Sequence, residues 1–292
     1  VGLDVALPGA PPLRTALELA AVTTGSSPAE PAAPARLMSN VVSAQPAAEG
    51  LRRIFADRLA PHEATYFIYG ADDPVAKFQF SFKYKLLDFR GLAAQRRVRT
   101  LNFAFTQRSL WDIRGDSSPF YDTSYMPEIM YQSLASLPIQ PDARFAWLGF
   151  QAAFKHESNG RAGPASRSLN TVYARTVFAL GEMAGWHLLV VPEVFDYVTS
   201  RDENPDLADY RGYGRLSLVW GRNEGPSLTA LLWAGRRFER LSSQLDLAVP
   251  VSTRYLNFET YLLIQYFSGY GESLLSYRTR TETLRAGISL VR

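Results

Sequence analysis

From about residue 64 to the C-terminus, apolar and polar residues alternate with a period of two. This is the spacing of a β-strand whose two faces meet different surroundings. In the segment VAKFQFSFKYKLL, Phe78, Phe80 and Phe82 share one face, whereas Lys77 and Lys83 lie on the other. The segments LNFETYLLIQY and TLRAGISLV show the same alternation. The pattern predicts a chain built almost entirely of β-strands.

The alternation predicts about twelve strands. They span 64–70, 75–87, 98–111, 125–137, 143–158, 169–182, 185–198, 210–221, 226–236, 240–250, 253–267 and 281–291. Many are longer than the usual strand of about 5–6 residues and match the roughly 9–11 residues with which a tilted strand crosses a bilayer.

The connections alternate in length, which also bears on the class of fold. Short ones such as EMAG and RNEG alternate with longer ones at 112–124, 159–168, 199–209 and 268–280. Short turns at one end and long loops at the other are typical of outer-membrane barrels, whose long loops lie outside the cell. We therefore predict an all-β fold, a twelve-stranded antiparallel transmembrane β-barrel. The alternative is a soluble up-and-down barrel of fewer strands with its apolar face inward, which the length and number of the strands disfavour.

The N-terminal part differs in composition from the barrel. Residues 1–50 are rich in Ala and Pro and show little periodicity, so we expect a flexible extension. The barrel domain, with a lipid-facing active site, is assigned to 51–292, and its first segment, LRRIFADRLA, has the spacing of a short amphipathic helix. The opening VGLDVALPGA lacks the basic region and apolar core of a secretion signal, so we expect a mature chain.

Composition narrows the classes of function. The 292 residues carry a formal net charge of +3, and no segment strings the basic residues together as a nucleic-acid-binding arm would, so no nucleic-acid partner is expected. Cysteine is absent, which excludes disulfides and thiolate metal sites. The mean hydropathy of −0.12 suits a barrel that shows only every second residue to lipid.

A histidine and a serine lie at the end of one predicted strand. The apolar face of 143–158 consists of the even positions Ala146, Leu148, Phe150, Ala152, Phe154, His156 and Ser158. Phe145 and Trp147 are assigned to the opposite face. His156 and Ser158 are therefore predicted to face lipid where the strand leaves the hydrocarbon.

An asparagine on the next strand can complete this arrangement. If the loop 159–168 closes a hairpin that pairs Phe154 with Val172, then Asn170 lies across from His156, at about 4.5–5.5 Å between Cβ atoms. An amide that orients an imidazole beside a serine is the arrangement of orienter, base and nucleophile found in ester hydrolases. The spacing thus points to acyl-ester hydrolysis.

The segment HESNGRAGPASRSLNTVYAR, 156–175, resembles the active-site segment of the outer membrane phospholipase A family. That family has a His-x-Ser-Asn-Gly-Arg run followed by Ser-Arg-Ser and an Asn before Tyr-x-Arg. Further similar segments follow the same order along the chain, and the resemblance covers about 64–292. They are TQRSLW, SSPF, NPDLADYRGY and SGYGESLLSY.

The resemblance implies a bacterial outer-membrane enzyme, active as a calcium-dependent homodimer, that hydrolyses acyl esters of phospholipids and lysophospholipids. It implies Ser158 as the nucleophile, His156 as the general base and Asn170 as the orienting residue. The oxyanion would be bound by the Gly160 N–H together with calcium-bound water.

The resemblance also implies a Ca²⁺ site. Its ligands would be the Ser166 hydroxyl, the Arg161 carbonyl and the Ser117 carbonyl of the second subunit, all hard oxygens. The family often has an acidic residue where this chain has Gly163. A glutamine at the position of Gln107 bonds across the dimer in the family, and the alternative for Gln107 is a rim residue that reaches water.

Other polar residues leave alternatives open. A non-enzymatic barrel, a pore or structural protein that retains the motif, is the alternative to the enzyme. Inward charges such as Lys77 and Arg285 could line a pore, but in a barrel of about twelve strands a hydrogen-bonded network that fills the lumen is favoured. The acidic residues of RDENPDLADY are assigned to a solvated external loop because they lack metal-ligand spacing. His62 and His187 are given no role.

Overall fold

A computed structural model describes residues 58–89, 97–135, 144–198, 203–223, 225–251 and 260–291. The predicted extension 1–50 and residues 51–57 lie outside these ranges. The described end of LRRIFADRLA forms a short strand at Leu59–Ala60 rather than a helix. No helix in the described ranges is long and apolar enough to span a bilayer.

The described residues form thirteen strands, one 3-10 turn and one short helix. The strands are β1 Leu59–Ala60, β2 Thr65–Gly70, β3 Ala76–Asp88, β4 Arg97–Trp111, β5 Phe120–Ala135, β6 Phe145–Ser158, β7 Ser168–Gly181, β8 His187–Tyr197, β9 Gly214–Gly221, β10 Ser227–Ala234, β11 Leu241–Pro250, β12 Tyr261–Gly269 and β13 Thr281–Val291. The 3-10 turn is Gly163–Ala165 and the helix, α1, is Ala208–Arg211.

The sheet closes on itself. Each strand from β2 to β13 pairs antiparallel with the next along the chain, and β13 pairs with β2. Strand β1 pairs with β3 along the same edge as β2 does, but further along that strand. It therefore adds no further position to the barrel. The barrel therefore has twelve strand positions, which confirms the predicted twelve-stranded antiparallel fold.

The barrel is apolar on the outside and polar on the inside, the opposite of a soluble protein. Phe80 is 52% exposed on the outside, whereas the neighbouring inward Lys77 is 1% exposed. On β13, Leu284 and Ile288 are exposed and Arg285 is buried. The alternation thus places the apolar row toward lipid, as predicted.

A β-bulge in β6 changes which residues face lipid. The register shifts between Trp147 and Gly149, so that Leu148 is the extra residue. Gly149 has a φ of +133°, and a Cβ there would lie 2.1 Å from the Ser133 carbonyl oxygen. Beyond the bulge the parity is reversed, and Phe145 and Trp147 are exposed on the lipid side. Their assignment to the inward face was wrong, because strict alternation cannot anticipate an inserted residue.

Two strand starts also differ from the sequence prediction. Strand β5 begins at Phe120 rather than at 125, so it extends further into the polar loop than hydrophobicity indicated. Strand β9 begins at Gly214 rather than at 210, because α1 occupies the preceding residues.

Charged side chains form a network inside the lumen, centred on Glu272. Lys77 Nζ donates to Gln265 Oε1 at 2.7 Å and lies 3.2 Å from Glu272 Oε1. Arg285 Nη1 binds the same carboxylate oxygen at 2.7 Å. The inward charges therefore form a hydrogen-bonded network, as predicted. The lumen also contains a cavity of about 660 Å³.

The chain that precedes β2 enters this cavity. The His62 side chain is buried there against the Glu128 carboxylate, and Glu63 Oε1 lies 3.0 Å from Arg175 Nη1. His62, Glu63 and Ala64 thus line the cavity, a role for His62 that its sequence context did not reveal.

Removal of the shared carboxylate should weaken the barrel. In Glu272→Gln, Lys77 and Arg285 would remain buried without their counter-charge, so the free energy of unfolding should fall by about 3–5 kcal/mol. Urea unfolding from lipid vesicles would measure it. The matched control is Glu282→Gln, since this exposed carboxylate accepts a surface hydrogen bond from Tyr266 and binds no buried cation among the described residues. Equal stabilities of the two variants would contradict the role of Glu272.

Candidate active site

The hairpin of β6 and β7 brings His156 and Asn170 together on the lipid face. Their Cα atoms are register partners, as are those of Phe154 and Val172, which is the pairing that the sequence predicted. His156 Nδ1 lies 2.8 Å from Asn170 Oδ1. Because the amide oxygen can only accept, Nδ1 carries the proton and Nε2 is left as the basic nitrogen.

Ser158 lies on the same outward face, two residues closer to the loop. Its register partners are Ser168 on β7 and Tyr125 on β5. Within the described ranges no hydrogen bond joins the Ser158 hydroxyl to the imidazole. Such bonds in unliganded sites commonly tighten only when substrate binds.

The loop after β6 is organised by Asn159, whose side chain is buried. Its Oδ1 accepts from the backbone N–H of Arg161 at 3.2 Å and of Arg167 at 3.0 Å. Its Nδ2 donates to the Ala165 carbonyl at 2.9 Å. Sequence reasoning assigned no role to Asn159, although it lies inside the SNGR run that carries the resemblance.

Gly160 follows Asn159 with a φ of +67°, a conformation that favours glycine. A Cβ at this position would lie 3.1 Å from the Tyr125 ring. In the part of the chain that the structure describes, its N–H has no protein partner. The Gly160 N–H is thus a free donor at the loop next to Ser158.

The residues expected to bind calcium lie in two neighbouring loops. Arg161 and Ser166 are in the β6–β7 loop, and Ser117 is in the β4–β5 loop with a φ of +63°. The Arg161 guanidinium donates to the Phe120 carbonyl at 3.0 Å, which ties the two loops together. No group of three or more His, Asp or Glu side chains converges as a metal cluster in the described ranges.

Glu203 reaches the same loop from a distant part of the sequence. Its two carboxylate oxygens accept from Ser166 Oγ at 2.8 Å and from Ser168 Oγ at 2.9 Å. These hydrogen bonds hold the pKa of the Glu203 carboxyl below its ordinary value. The assignment of its loop as merely solvated therefore needs correction, because Glu203 is exposed but docked on the site.

Helix α1 supports β6 from inside the barrel. Arg211 Nη1 lies 2.9 Å from Glu157 Oε2, and Ser124 Oγ donates to Glu157 Oε1 at 3.0 Å. Glu157 points into the lumen between the outward His156 and Ser158. Its ion pair therefore fixes the segment of strand that carries both.

Gln107 lies on the lipid face of β4, opposite Phe80 on β3 and Tyr125 on β5. Its Nε2 makes a long contact of 3.4 Å with Ser109 Oγ. Gln107, Tyr125 and Ser158 thus form one row across three strands, so a second barrel against this face would touch both Gln107 and the site.

A closed twelve-stranded barrel with an apolar exterior is an outer-membrane protein that spans the bilayer many times. The Phospholipase A1 family model matches residues 56–290. The chain is 32% identical over 223 residues to the phospholipase A1 of Salmonella typhimurium, covering 73% of this chain and 68% of that protein. It is 31% identical over 221 residues to a putative phospholipase A1 of Neisseria meningitidis, and it spans about half (53%) of that protein's length.

Solved structures show the same fold. Outer membrane phospholipase A from Escherichia coli aligns with a TM-score of 0.67 at 24% identity, over 88% of this chain and 97% of that one. The Salmonella typhi outer membrane phospholipase, a dimer with bound calcium, aligns with a TM-score of 0.66 at 26% identity, over 80% and 92% of the two chains. The chain belongs to the phospholipase A1 family, which confirms the resemblance seen in its sequence.

Loss of the Asn159 side chain should loosen the active-site loop. In Asn159→Ala, the N–H groups of Arg161 and Arg167 lose a buried acceptor worth about 1–3 kcal/mol, so their amide hydrogen exchange should accelerate about 10- to 100-fold. Hydrogen-exchange mass spectrometry would measure it. Asn223→Ala at the opposite end of the barrel is the control, and unchanged exchange at Arg161 in Asn159→Ala would contradict the assignment.

Proposed function

We propose that this protein hydrolyses acyl esters of phospholipids and lysophospholipids at the outer surface of the outer membrane, as a calcium-dependent dimer. The observation that carries the proposal is the hydrogen bond between His156 and Asn170 on the lipid-facing side of the barrel, with Ser158 on the same face. Membership of the phospholipase A1 family supports the same reaction.

Each of the three side chains has one task in the reaction. Ser158 Oγ attacks the ester carbonyl carbon while His156 Nε2 accepts the hydroxyl proton. The tetrahedral intermediate then collapses, and His156 gives the proton to the departing alcohol, the lysophospholipid. A water molecule, deprotonated by His156, then attacks the carbonyl carbon of the acyl group on Ser158. The fatty acid leaves, and His156 returns the proton to Ser158 Oγ. Asn170 holds the tautomer and ring angle throughout and supplies no counter-charge to the imidazolium.

The Gly160 N–H is the protein's donor to the oxyanion. It is free of protein partners in the described residues and lies in a loop that Asn159 holds in place. A donor that is held before the reaction is the kind that stabilises negative charge on the carbonyl oxygen.

The substrate is a lipid because the site opens onto lipid. Phe154 and Val172 are both exposed on the barrel exterior directly beneath His156 and Asn170. Acyl chains lying along this apolar wall would place their ester groups at the level of Ser158, where hydrocarbon gives way to headgroups.

The residues around the loop fit a calcium ion. The Ser166 hydroxyl, the Arg161 carbonyl and the Glu203 carboxylate are hard oxygens, and Ser166 Oγ lies 2.8 Å from Glu203 Oε1. Glu203 would thus add a carboxylate to a site in which Gly163 has none. When bound, the ion would add positive charge beside the oxyanion. We assign the calcium ion to the Ser166 hydroxyl, the Arg161 carbonyl and the Ser117 carbonyl of a second subunit. The Glu203 carboxylate would lie next to it.

The dimer would form through the outward face that carries Gln107. The Salmonella typhi relative is a dimer with bound calcium. A second barrel on this face would cover Gln107 and Tyr125, complete the calcium site and enclose the acyl groove next to Ser158.

Replacement of the nucleophile should abolish turnover. Ser158→Ala should lower the rate of acyl-ester hydrolysis about 10⁴-fold or more while the barrel remains folded. Release of fatty acid from mixed micelles with calcium present would measure it. Ser243→Ala, on the lipid face of β11, is the matched control. If Ser158→Ala retains activity, another group is the nucleophile, and if the wild type is inactive with calcium, the protein is a non-enzymatic barrel.

The affinity for calcium should depend on the oxygen atoms around Ser166. Ser166→Ala and Glu203→Gln should each raise the calcium concentration for half-maximal binding about tenfold, because each removes one hard ligand or its carboxylate neighbour. Isothermal titration of the ion into the detergent-solubilised protein measures binding without reference to activity. Glu282→Gln is the control, and unchanged binding in Ser166→Ala would remove the hydroxyl from the ligand set.

A further inference from the structure

The hairpin that joins β10 and β11, residues 235–240, is strongly basic. Its sequence, GRRFER, holds three arginines in six residues. The hairpin lies at the same end of the barrel as the β6–β7 loop, the end that faces outside the cell. Arg236 and Arg237 are exposed, and Phe238 between the arginines is 80% exposed.

Helix α1 holds two of these arginines in place. The Arg236 N–H donates to the Ala208 carbonyl at 2.9 Å, and Arg236 Nη2 lies 3.0 Å from Asp209 Oδ1. The Arg240 guanidinium lies 4.3 Å from the centre of the Tyr210 ring and donates to the Asp209 carbonyl at 3.1 Å. The hairpin is therefore a fixed feature of the surface.

Arg237 is left without such a partner. Among the described residues no hydrogen bond or ion pair engages its guanidinium. Together with Arg236, Arg240, Glu239 and Asp209 it lines a recess of about 160 Å³. Three guanidinium groups face two carboxylates there, so the recess has an excess of positive charge.

Phe238 is not explained by packing within the protein. Its φ of +60° is unfavourable for a residue with a Cβ, and an aromatic ring that is exposed gains nothing from burial. The hairpin joins two strands that face lipid, since Leu241, the first residue of β11, is 68% exposed and Leu232 is exposed on β10. Phe238 therefore lies in the rim segment next to the apolar wall, where aromatic side chains of membrane proteins meet the headgroups.

We propose that the hairpin 235–240 binds the headgroup of an outer-leaflet lipid that carries a phosphate monoester. Phe238 lies among the upper acyl carbons of this lipid, and the guanidinium groups of Arg236 and Arg237 face its phosphate. Guanidinium groups match phosphate oxygens in paired, charge-assisted hydrogen bonds. A monoester carries up to two negative charges, whereas a zwitterionic headgroup presents its own cation and is not selected.

The test uses lipids that the proposed enzyme cannot cleave, so it is independent of the hydrolytic function. The protein in zwitterionic detergent is titrated with a 1,2-di-O-alkylglycerol 3-phosphate, an ether lipid that carries a phosphate monoester, and with the phosphocholine counterpart of that lipid. Native mass spectrometry counts the lipids retained per barrel. The wild type should retain the phosphate monoester lipid selectively. Arg236→Gln with Arg237→Gln should weaken retention about thirtyfold, since each arginine near a lipid surface contributes about a factor of five.

Two controls separate the hairpin from general surface charge. Arg237→Gln alone, which removes no internal contact, should weaken retention about fivefold. Arg114→Gln with Arg280→Gln removes the same charge from other loops at the same end and should leave retention unchanged. Equal loss in this control, or wild-type retention in both hairpin variants, would overturn the proposal. Displacement of the lipid by inorganic phosphate at equal concentration would overturn a lipid as the occupant.

Discussion

A strand that crosses hydrocarbon must pair all of its backbone amides and carbonyls, because no water is present to replace a missing partner. The ring of antiparallel strands from β2 to β13 meets this requirement by closing on itself. Closure leaves the side chains two environments, lipid outside and a narrow lumen inside. Lys77 and Arg285 are therefore buried in the interior, and Phe80 and Ile288 are exposed on the exterior.

The same inversion decides where the proposed lipid hydrolysis can take place on the barrel. A serine inside the lumen would not meet a substrate that lies in the bilayer. His156 and Ser158 instead lie on the outside of β6, and strand register, rather than a mobile loop, brings Asn170 beside the imidazole. Glu157, the residue between them, is held in the lumen by Arg211. The outward groups are thus positioned by an ion pair on the opposite face of the same strand, which favours precise geometry.

Much of this arrangement could be predicted from the sequence, because a period of two fixes both the strand and the face. The outward His156 and its partner Asn170 followed from alternation and one hairpin register. The bulge at Leu148 could not be predicted, because alternation of apolar and polar residues does not show where a residue is inserted. Gly149 is the one hint in this strand. Glu203 was also missed as a neighbour of the site. It is separated from Ser166 by 37 positions, and its docking depends on how a long loop folds over the rim.

The short helix α1 links otherwise separate parts of the outer rim. Within the four residues of α1, Asp209 pairs with Arg236 of the β10–β11 hairpin and Arg211 pairs with Glu157 of β6. Reversal of the charge at position 209 or 211 would therefore leave Arg236 or Glu157 facing a like charge. The helix, the hairpin and β6 are thus coupled by charge, so that a charge reversed at one partner would be compensated by a matching reversal at the other.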